Sequence, residues 1–418
     1  MARQRAAGAL SADPLTGAQR TAPAPVLFVH HGHEWIRGSE RVLLDLAGQL
    51  TRSQFRPVVW CNADSLRSAC AAAGIEVVQA PFPGPSGGPW WRPDGSQVAD
   101  ALGLIRELGP AVVHVNTLTC LPWALRAARA AKVPVLAHLH LPTTADERIW
   151  SGLHQATVAV GVSRFTLDWI RADGAAGSAT RLIYNGVVPE RLEQGDARGV
   201  RAQQGIPEDA CLVVTLGSLI PRKDLPTVIE AIRIAAPNIP TLHLLVVGEG
   251  EERAKLEAQT AAAGLGDRIH FAGDRSDAGA ILRDAADLLV SAARSETFGL
   301  NVVEAGYFGV PSAVTSIPPH REIVEDGRNG LLFEPGNPAQ LADRIARLMA
   351  SPALRRELGA AARERVRTSF MADRFVREFE QLYNEVRSRR RWRNGWLGGV
   401  RLPTSYWRLL LSRVFAGR

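Results

Sequence analysis

At 418 residues, 46% hydrophobic and 22% charged, the chain is too long for one ordinary core and has the composition of a soluble globular protein. No apolar run approaches the roughly 20 residues needed to cross a bilayer. Four scattered cysteines (Cys61, Cys70, Cys120 and Cys211) without a CxxC pair argue against a disulfide framework or a zinc site, and fit a reducing cytoplasm. The net charge of +7 is local: nine arginines and no acidic residue lie between Arg387 and Arg418, leaving the rest of the chain near neutrality.

Residues 1–24, with Arg3, Arg5 and Arg20 among Ala, Gly, Ser and Pro, lack the apolar stretch of a secretory signal and read as a disordered leader. From there strand, turn and helix patterns alternate. Val26–His30 reads as a buried strand, a loop passes Gly32 and Gly38, and a helix spans Glu40–Leu50. Strands follow at Pro57–Cys61, Ile75–Gln79, Ala111–Val115, Val133–His138, Thr157–Val162 and Arg181–Tyr184, with helices over Gln97–Leu108 and Leu121–Ala131. The Pro- and Gly-rich stretch Pro81–Pro93, with Trp90 and Trp91, reads as a surface loop or as a flap over an acceptor.

A polar stretch at 191–208 reads as a linker, after which the scheme restarts. Strands are predicted at Cys211–Leu216, Leu242–Val247, Arg268–Ala272, Asp287–Ser291, Pro311–Thr315 and Gly330–Phe333. Helices are predicted at Leu225–Ala235, Glu251–Ala263, Asn301–Phe308, Pro338–Met349 and Ala353–Ser369. The alternation predicts two doubly wound α/β units, residues 25–190 and 209–370, facing each other across a cleft. A closing helix at 371–386 and a basic aromatic tail at 387–418 complete the chain.

The segment Ser295–Pro311 (SETFGLNVVEAGYFGVP) carries the most chemistry. Phe298-Gly299 marks a turn, and a helix starting near Leu300 would leave backbone NH groups free to bind an anion. Glu296 precedes that start and Glu304 lies little more than one turn inside, so acceptors flank a cluster of donors, as a sugar diphosphate with a ribose requires. A second element, Gly217-Ser218-Leu219-Ile220-Pro221-Arg222-Lys223, follows a strand directly: its glycine admits a phosphate to the backbone and its lysine supplies a cation. Lysine occurs only at 132, 223 and 255. The cluster His30-His31-Gly32-His33 lacks the carboxylate-rich companion or HExxH spacing of a metal site, so no metal is expected.

These motifs, in this order, resemble the retaining GT-B glycosyltransferases of family 4: the strand–GSLxPxK–helix, the turn Val246–Arg253 (VVGEGEER), the E-x7-E segment, Tyr184-Asn185-Gly186-Val187 before the linker, and the closing helix from Phe370. The resemblance implies that Glu304 bonds the nucleotide ribose. It implies that Lys223 neutralises the diphosphate with the amides of Gly299, Leu300 and Asn301 assisting, and that Glu296 sits beside the transferred sugar. Phe298, Gly217 and Ser218 fall in the same donor site. Where the family usually has Arg after the glycine this chain has Ser218, which removes a fixed cation. In the first half Gly38-Ser39-Glu40-Arg41-Val42 resembles the family's glycine turn, with Gly38 approaching the donor phosphate. Val133–His140 matches the strand ending in its active-site His, which points to His140, with His138 two residues earlier on the same side.

The expectation is a metal-independent transfer of a sugar from a nucleotide-diphosphate sugar to a hydroxyl of a saccharide or lipid-linked acceptor, with retention, in cell-surface polysaccharide or glycolipid synthesis. The alternatives are a GT-B epimerase or hydrolase, or a non-catalytic binding module. An NAD-dependent oxidoreductase is disfavoured because the first strand lacks GxGxxG. The tail places Trp392, Trp396, Tyr406, Trp407 and Phe415 among its arginines, which suits an anionic membrane surface at the inner leaflet; no nucleic-acid motif accompanies it.

Overall fold

A computed structural model describes residues 22–389 except 52, 142 and 173–179. Most of the leader (1–21) and of the basic tail (390–418) lie outside the described residues, and the expectations placed on them are not addressed by the structure.

The apolar runs form two parallel sheets. In the first, β1 (Ala24–His30), β2 (Phe55–Cys61), β3 (Glu76–Val77), β4 (Val112–Val115), β5 (Val135–Leu139), β6 (Val158–Gly161) and β7 (Thr180–Leu182) run in the order β3-β2-β1-β4-β5-β6-β7. The second contains β8 (Cys211–Leu216), β9 (Leu242–Val247), β10 (Ile269–Gly273), β11 (Leu288–Ser291), β12 (Ser312–Thr315) and β13 (Leu331–Phe333), in the order β10-β9-β8-β11-β12-β13. Every pairing is parallel, so the central strands are covered by helices on both faces and read as unbroken apolar runs. β3 is shorter than predicted because Val78 closes on Val59 by one hydrogen bond and the chain then enters the proline-rich loop.

In each sheet the strand order reverses once, between β1 and β4 and between β8 and β11. Loops leaving the carboxyl ends of such a pair diverge and leave a crevice. Gly38 follows β1, Gly217–Lys223 follows β8 and Glu296–Gly299 follows β11, all strands at these crevices, and His140 follows β5, the strand next to β4.

Residues 191–208 are folded rather than an open tether. Pro189–Leu192 and Val200–Gln203 are short helices, and Leu192, Ala197, Val200 and Ile206 join the core beneath β8. The last helix among the described residues, Ala372–Arg389, returns to the first domain, where Phe375, Phe379, Leu382, Tyr383 and Val386 pack with Phe28, Val42 and Phe55. Side chains of this size each contribute about 1.5–3 kcal/mol on burial. The return begins where the backbones of Val187 and Phe370–Ala372 bond to each other, and a Cβ on Gly186 would collide with Ala372 and Phe375 there. Tyr383 Oη bonds His114 Nδ1 at 2.7 Å, giving the buried hydroxyl its partner.

The loop Pro81–Pro93 is anchored. Phe82 packs edge-on against Trp60 and Trp123, and Trp90 meets the His154 ring and covers Gly152. Trp91 keeps 39% of its surface exposed.

Candidate active site

The helix Leu300–Phe308 starts from Gly299, whose φ of +114° is accessible to glycine and strained for other residues. Gly299 has no side chain to cap this start, where the positive end of the helix dipole lies, and of the first-turn amides that of Val302 donates to Asn301 Oδ1 at 3.0 Å. Asn301 is placed by its side chain: Nδ2 donates to the Leu216 carbonyl at 3.0 Å, tying the helix start to the end of β8. Leu300 packs against the cores of both domains. It also stands opposite Gly38, where an added Cβ would lie 3.9 Å from Leu300 Cδ1.

Phe298 departs from the sequence reading. Its side chain is only 2% exposed and packs against Tyr184 and Phe370, an apolar anchor beneath the turn that starts the helix. Its side chain anchors this loop in the core, and its backbone forms the turn before the helix.

Gly217, Ser218 and Lys223 line one recess at the end of β8, with Thr215, Ser291 and Ala292. Gly217 has φ +133°, and the Lys223 Nζ lies 3.6 Å from where its Cβ would be. Two further glycines support this turn: a Cβ on Gly248 would overlap the Gly217 carbonyl, and one on Gly250 would overlap the Leu219 carbonyl. These positions were legible only as part of the VVGEGEER turn; their role in shaping the neighbouring loop depends on β8 and β9 being adjacent.

Lys223 is ion-paired with Glu296 Oε1, and Arg222 Nη1 bonds Glu296 Oε2 at 3.1 Å and the Ser295 carbonyl at 3.0 Å. Glu296 is 8% exposed. Burial pushes its carboxyl up, but the charges of Lys223 and Arg222, with the Lys223 hydrogen bond, overcome this and hold it at about 2. His320 lies behind the same turn, fully buried, against the Cβ side of Gly299. Its Nδ1 bonds Thr315, and burial lowers its pKa to about 4, so the ring is neutral at pH 7. His320 carried no signal in the sequence beyond its proximity to a strand end.

On the facing domain His140 is 9% exposed and its pKa falls to about 3, first through burial and then through His30. Asn116 connects these two histidines. Its Nδ2 donates to the Ser39 carbonyl (3.3 Å), so that atom is the amino group, and His30 Nδ1 at 3.0 Å accepts from it. His30 Nε2 then donates to Glu40 Oε1 at 3.0 Å, and Asn116 Oδ1 accepts from His140 Nε2 at 2.8 Å. The chain Glu40–His30–Asn116–His140 therefore fixes His140 with its proton on Nε2 and a lone pair on Nδ1. Asn116 was not singled out in the sequence, since a lone Asn after a strand carries no distinguishing pattern.

His138 is excluded from the cleft. It is 1% exposed, bonds His114 at 3.1 Å and lies directly under His140, with ring centroids 3.9 Å apart. The His30–His33 cluster is dispersed: His30 serves the relay, and His33 stacks on Trp35. Among the described residues no group of three or more His, Cys, Asp or Glu is placed to hold a metal.

Glu304, assigned to ribose by resemblance, accepts from Arg191 Nη2 at 3.0 Å. The two domains touch near the site at two more points. Thr297 Oγ1 donates to the His140 carbonyl at 2.7 Å, and the Glu322 carboxylate accepts from the Arg164 and Phe165 amides at 2.9 and 3.1 Å, capping the helix Arg164–Ala172 from across the cleft.

Two family models match the chain: Glycosyltransferase Family 4 over residues 36–191 and Glycosyl transferases group 1 over residues 196–365. The chain belongs to this glycosyltransferase family. Its fold is GT-B. The family match covers both crevices, with the His140 and Asn116 relay in the first region and Lys223, Glu296 and Glu304 in the second.

Among relatives, the N-acetyl-alpha-D-glucosaminyl L-malate synthase of Bacillus anthracis is 25% identical, over 56% of this chain and 61% of that protein. The phosphatidyl-myo-inositol mannosyltransferase of Mycobacterium leprae is 28% identical, over 64% of this chain and 73% of its own length. The chain spans 58–61% of the length of the first two curated relatives it matches. Anabaena HepE, solved in complex with UDP-glucose, superposes with a TM-score of 0.75 at 21% identity, over 87% of this chain and all of that one. WaaG, a glycosyltransferase involved in lipopolysaccharide biosynthesis, superposes at 0.65 and 20% identity, over 86% and 99%. Both structures share the fold. No helix among the described residues is long and apolar enough to cross a membrane.

Proposed function

We propose that this family member transfers a sugar from a nucleotide-diphosphate sugar to a hydroxyl of a saccharide or lipid-linked acceptor, with retention of anomeric configuration. The observation that carries the reading is the convergence of Lys223, Arg222 and the uncapped start of helix Leu300–Phe308 on Glu296, at the carboxyl ends of β8 and β11 and opposite His140.

The chemistry follows from charge. As the glycosidic bond to the diphosphate lengthens, the sugar becomes oxocarbenium-like and negative charge grows on the departing phosphate. A preorganised cation and helix amides next to that phosphate stabilise the transition state more than the ground state. Lys223, held beside the Gly217 turn, and the amides of Gly299, Leu300 and Asn301 supply this without a metal. Ser218 adds only a hydroxyl where the family usually has a cation; Lys223 and Arg222 both pair with Glu296, and Lys223, which alone of the two also stands against the Gly217 turn, is the cation assigned to the leaving group.

Glu296 lies beside the transferred sugar, and Glu304 bonds the nucleotide ribose. His140, neutral and fixed by Asn116, faces the sugar from the first domain. The domains exclude water between them and so limit hydrolysis of the donor. The name of the mycobacterial relative, a phosphatidyl-myo-inositol mannosyltransferase, supports synthesis of glycolipid or cell-surface polysaccharide, and a cytoplasmic site of action is part of this proposal. The arginine-rich tail would provide the attachment to anionic lipid.

The test uses the full-length chain with UDP-, GDP-, ADP- and TDP-sugars, first by thermal shift and then by nucleotide release with and without lipid-linked saccharide. Release that depends on acceptor, with an unchanged anomeric configuration by NMR, supports the reading. Equal release without acceptor makes it a hydrolase, and failure of every nucleotide to bind overturns the donor site.

A further inference from the structure

Arg191 sits in the connection between the two sheets and reaches both domains. Its Nε and Nη2 donate to the Asp45 carboxylate at 3.1 and 3.2 Å, and the same Nη2 donates to Glu304 Oε1 at 3.0 Å. Asp45 lies on the helix Gly38–Leu50 of the first domain, Glu304 on the helix Leu300–Phe308 of the second. The Asp45 side chain is 7% exposed and that of Glu304 17%. A planar guanidinium can grip one carboxylate at two points while bonding another; a lysine, with one charge point, cannot.

The geometry has a consequence for Glu304. A glutamate has three rotatable bonds, and ordering its carboxylate for a ligand costs free energy unless a neighbour has already fixed it. Arg191 fixes Oε1, while Oε2 has no hydrogen-bond partner among the described residues and is left to accept from a ligand. Because Arg191 is itself clamped by Asp45, the position of Glu304 is set by the first domain.

We propose that Arg191 is a positioning residue for ribose recognition: by holding Oε1 of Glu304 against Asp45 it presents Oε2 to the nucleotide ribose. This rests on the assignment of Glu304 to ribose made under Proposed function.

The test compares affinity for a ribonucleoside diphosphate (UDP, GDP or ADP, whichever stabilises the protein most) with affinity for its 2′-deoxy counterpart, by calorimetry on the full chain. Arg191→Gln alone leaves Asp45 buried without its partner, so the Asp45→Asn/Arg191→Gln double variant, which removes both charges, is measured beside it. Glu304→Gln calibrates the loss of the ribose contact. Wild type should prefer the ribonucleotide by about tenfold or more, as expected for one hydrogen bond to a charged group. The double variant should lose most of that preference while its affinity for the deoxynucleotide changes less than about threefold. Retention of the full preference in the double variant, or a parallel loss for both nucleotides, overturns the role of Arg191. A wild type that binds diphosphates without preference overturns the ribose assignment itself, and with it this proposal. No binding at all overturns the donor reading.

Discussion

Thr297 Oγ1 donates a 2.7 Å hydrogen bond to the backbone carbonyl of His140 across the domain boundary. Thr297 follows Glu296 directly, so this bond sets the distance between the catalytic candidates of the two domains. Thr297→Val keeps the shape and removes the donor. A neutral hydrogen bond is worth ~0.5–1.5 kcal/mol. The expected loss of kcat/KM is therefore about two- to twelvefold, with little change in melting temperature. Unchanged kinetics would show that the contact has no part in assembling the site.

Lys223→Ala removes the cation next to the Gly217 turn while Glu296 stays paired with Arg222, so the fold should persist. Removing one preorganised group from a developing oxyanion typically costs about 100- to 1000-fold in kcat, and a loss of that order is expected. Glu304→Ala should suppress transfer chiefly through donor affinity. Near-wild-type activity in both variants would sink the site assignment.

Gly248→Ala tests the support beneath the Gly217 turn, the proposed donor loop. Its φ of +140° strains any side chain, and the added methyl would press on the Gly217 carbonyl. Donor affinity should fall together with melting temperature. Gly266→Ala, in open space, serves as the control and should change neither.

The pH dependence of stability follows from groups that titrate differently in the folded chain. His320 is buried and neutral, with its pKa lowered from 6.5 to about 4, so below pH 6.5 the unfolded chain binds a proton that the folded one refuses. Stability from this group is complete above pH 6.5 and is lost as pH falls towards 4, by up to about 3 kcal/mol. Glu296, lowered from 4.5 to about 2, contributes stability that is present above pH 4.5 and lost as pH falls through 2. Urea midpoints of the wild type should therefore drop between pH 7 and pH 4.5. His320→Gln should make that segment shallower, with His140, lowered to about 3, retaining part of the slope; an identical slope would assign the acid sensitivity to other groups.

Glu322 caps the helix Arg164–Ala172 from the opposite domain, and a cap of this kind is worth about 0.5–2 kcal/mol. Glu322→Gln should raise hydrogen exchange at the Arg164 and Phe165 amides without altering the second sheet. Unchanged exchange at both amides would mean that the carboxylate does not hold them in solution.

The two-sheet architecture was legible in the sequence because buried parallel strands must be continuous apolar runs, and thirteen such runs alternate with helical periodicity or turn signals. Cys211–Leu216, Leu242–Val247 and Leu225–Ala235 were read to the residue, since each is bounded by a glycine, proline or charge that ends the pattern. The Gly217 turn with its lysine and the Glu296–Glu304 segment were legible for a related reason: each is a local pattern, and each lies directly after β8 or β11 where the alternation puts it.

What the sequence could not determine is which side chains meet across distant loops. Phe298 looked like a ligand contact and is a core anchor, because only the packed structure shows Tyr184 and Phe370 beneath it. Asn116 looked ordinary and connects His30 to His140, since strand order places the ends of β1, β4 and β5 side by side. Arg191 lay in an expected linker and instead bridges Asp45 to Glu304, residues 146 and 113 positions away along the chain. Local pattern determined the elements and the loops after β8 and β11; the sheet order and the return of the helix Ala372–Arg389 decided who the partners are, because those pairings depend on proximity in space and leave no periodic trace in the chain.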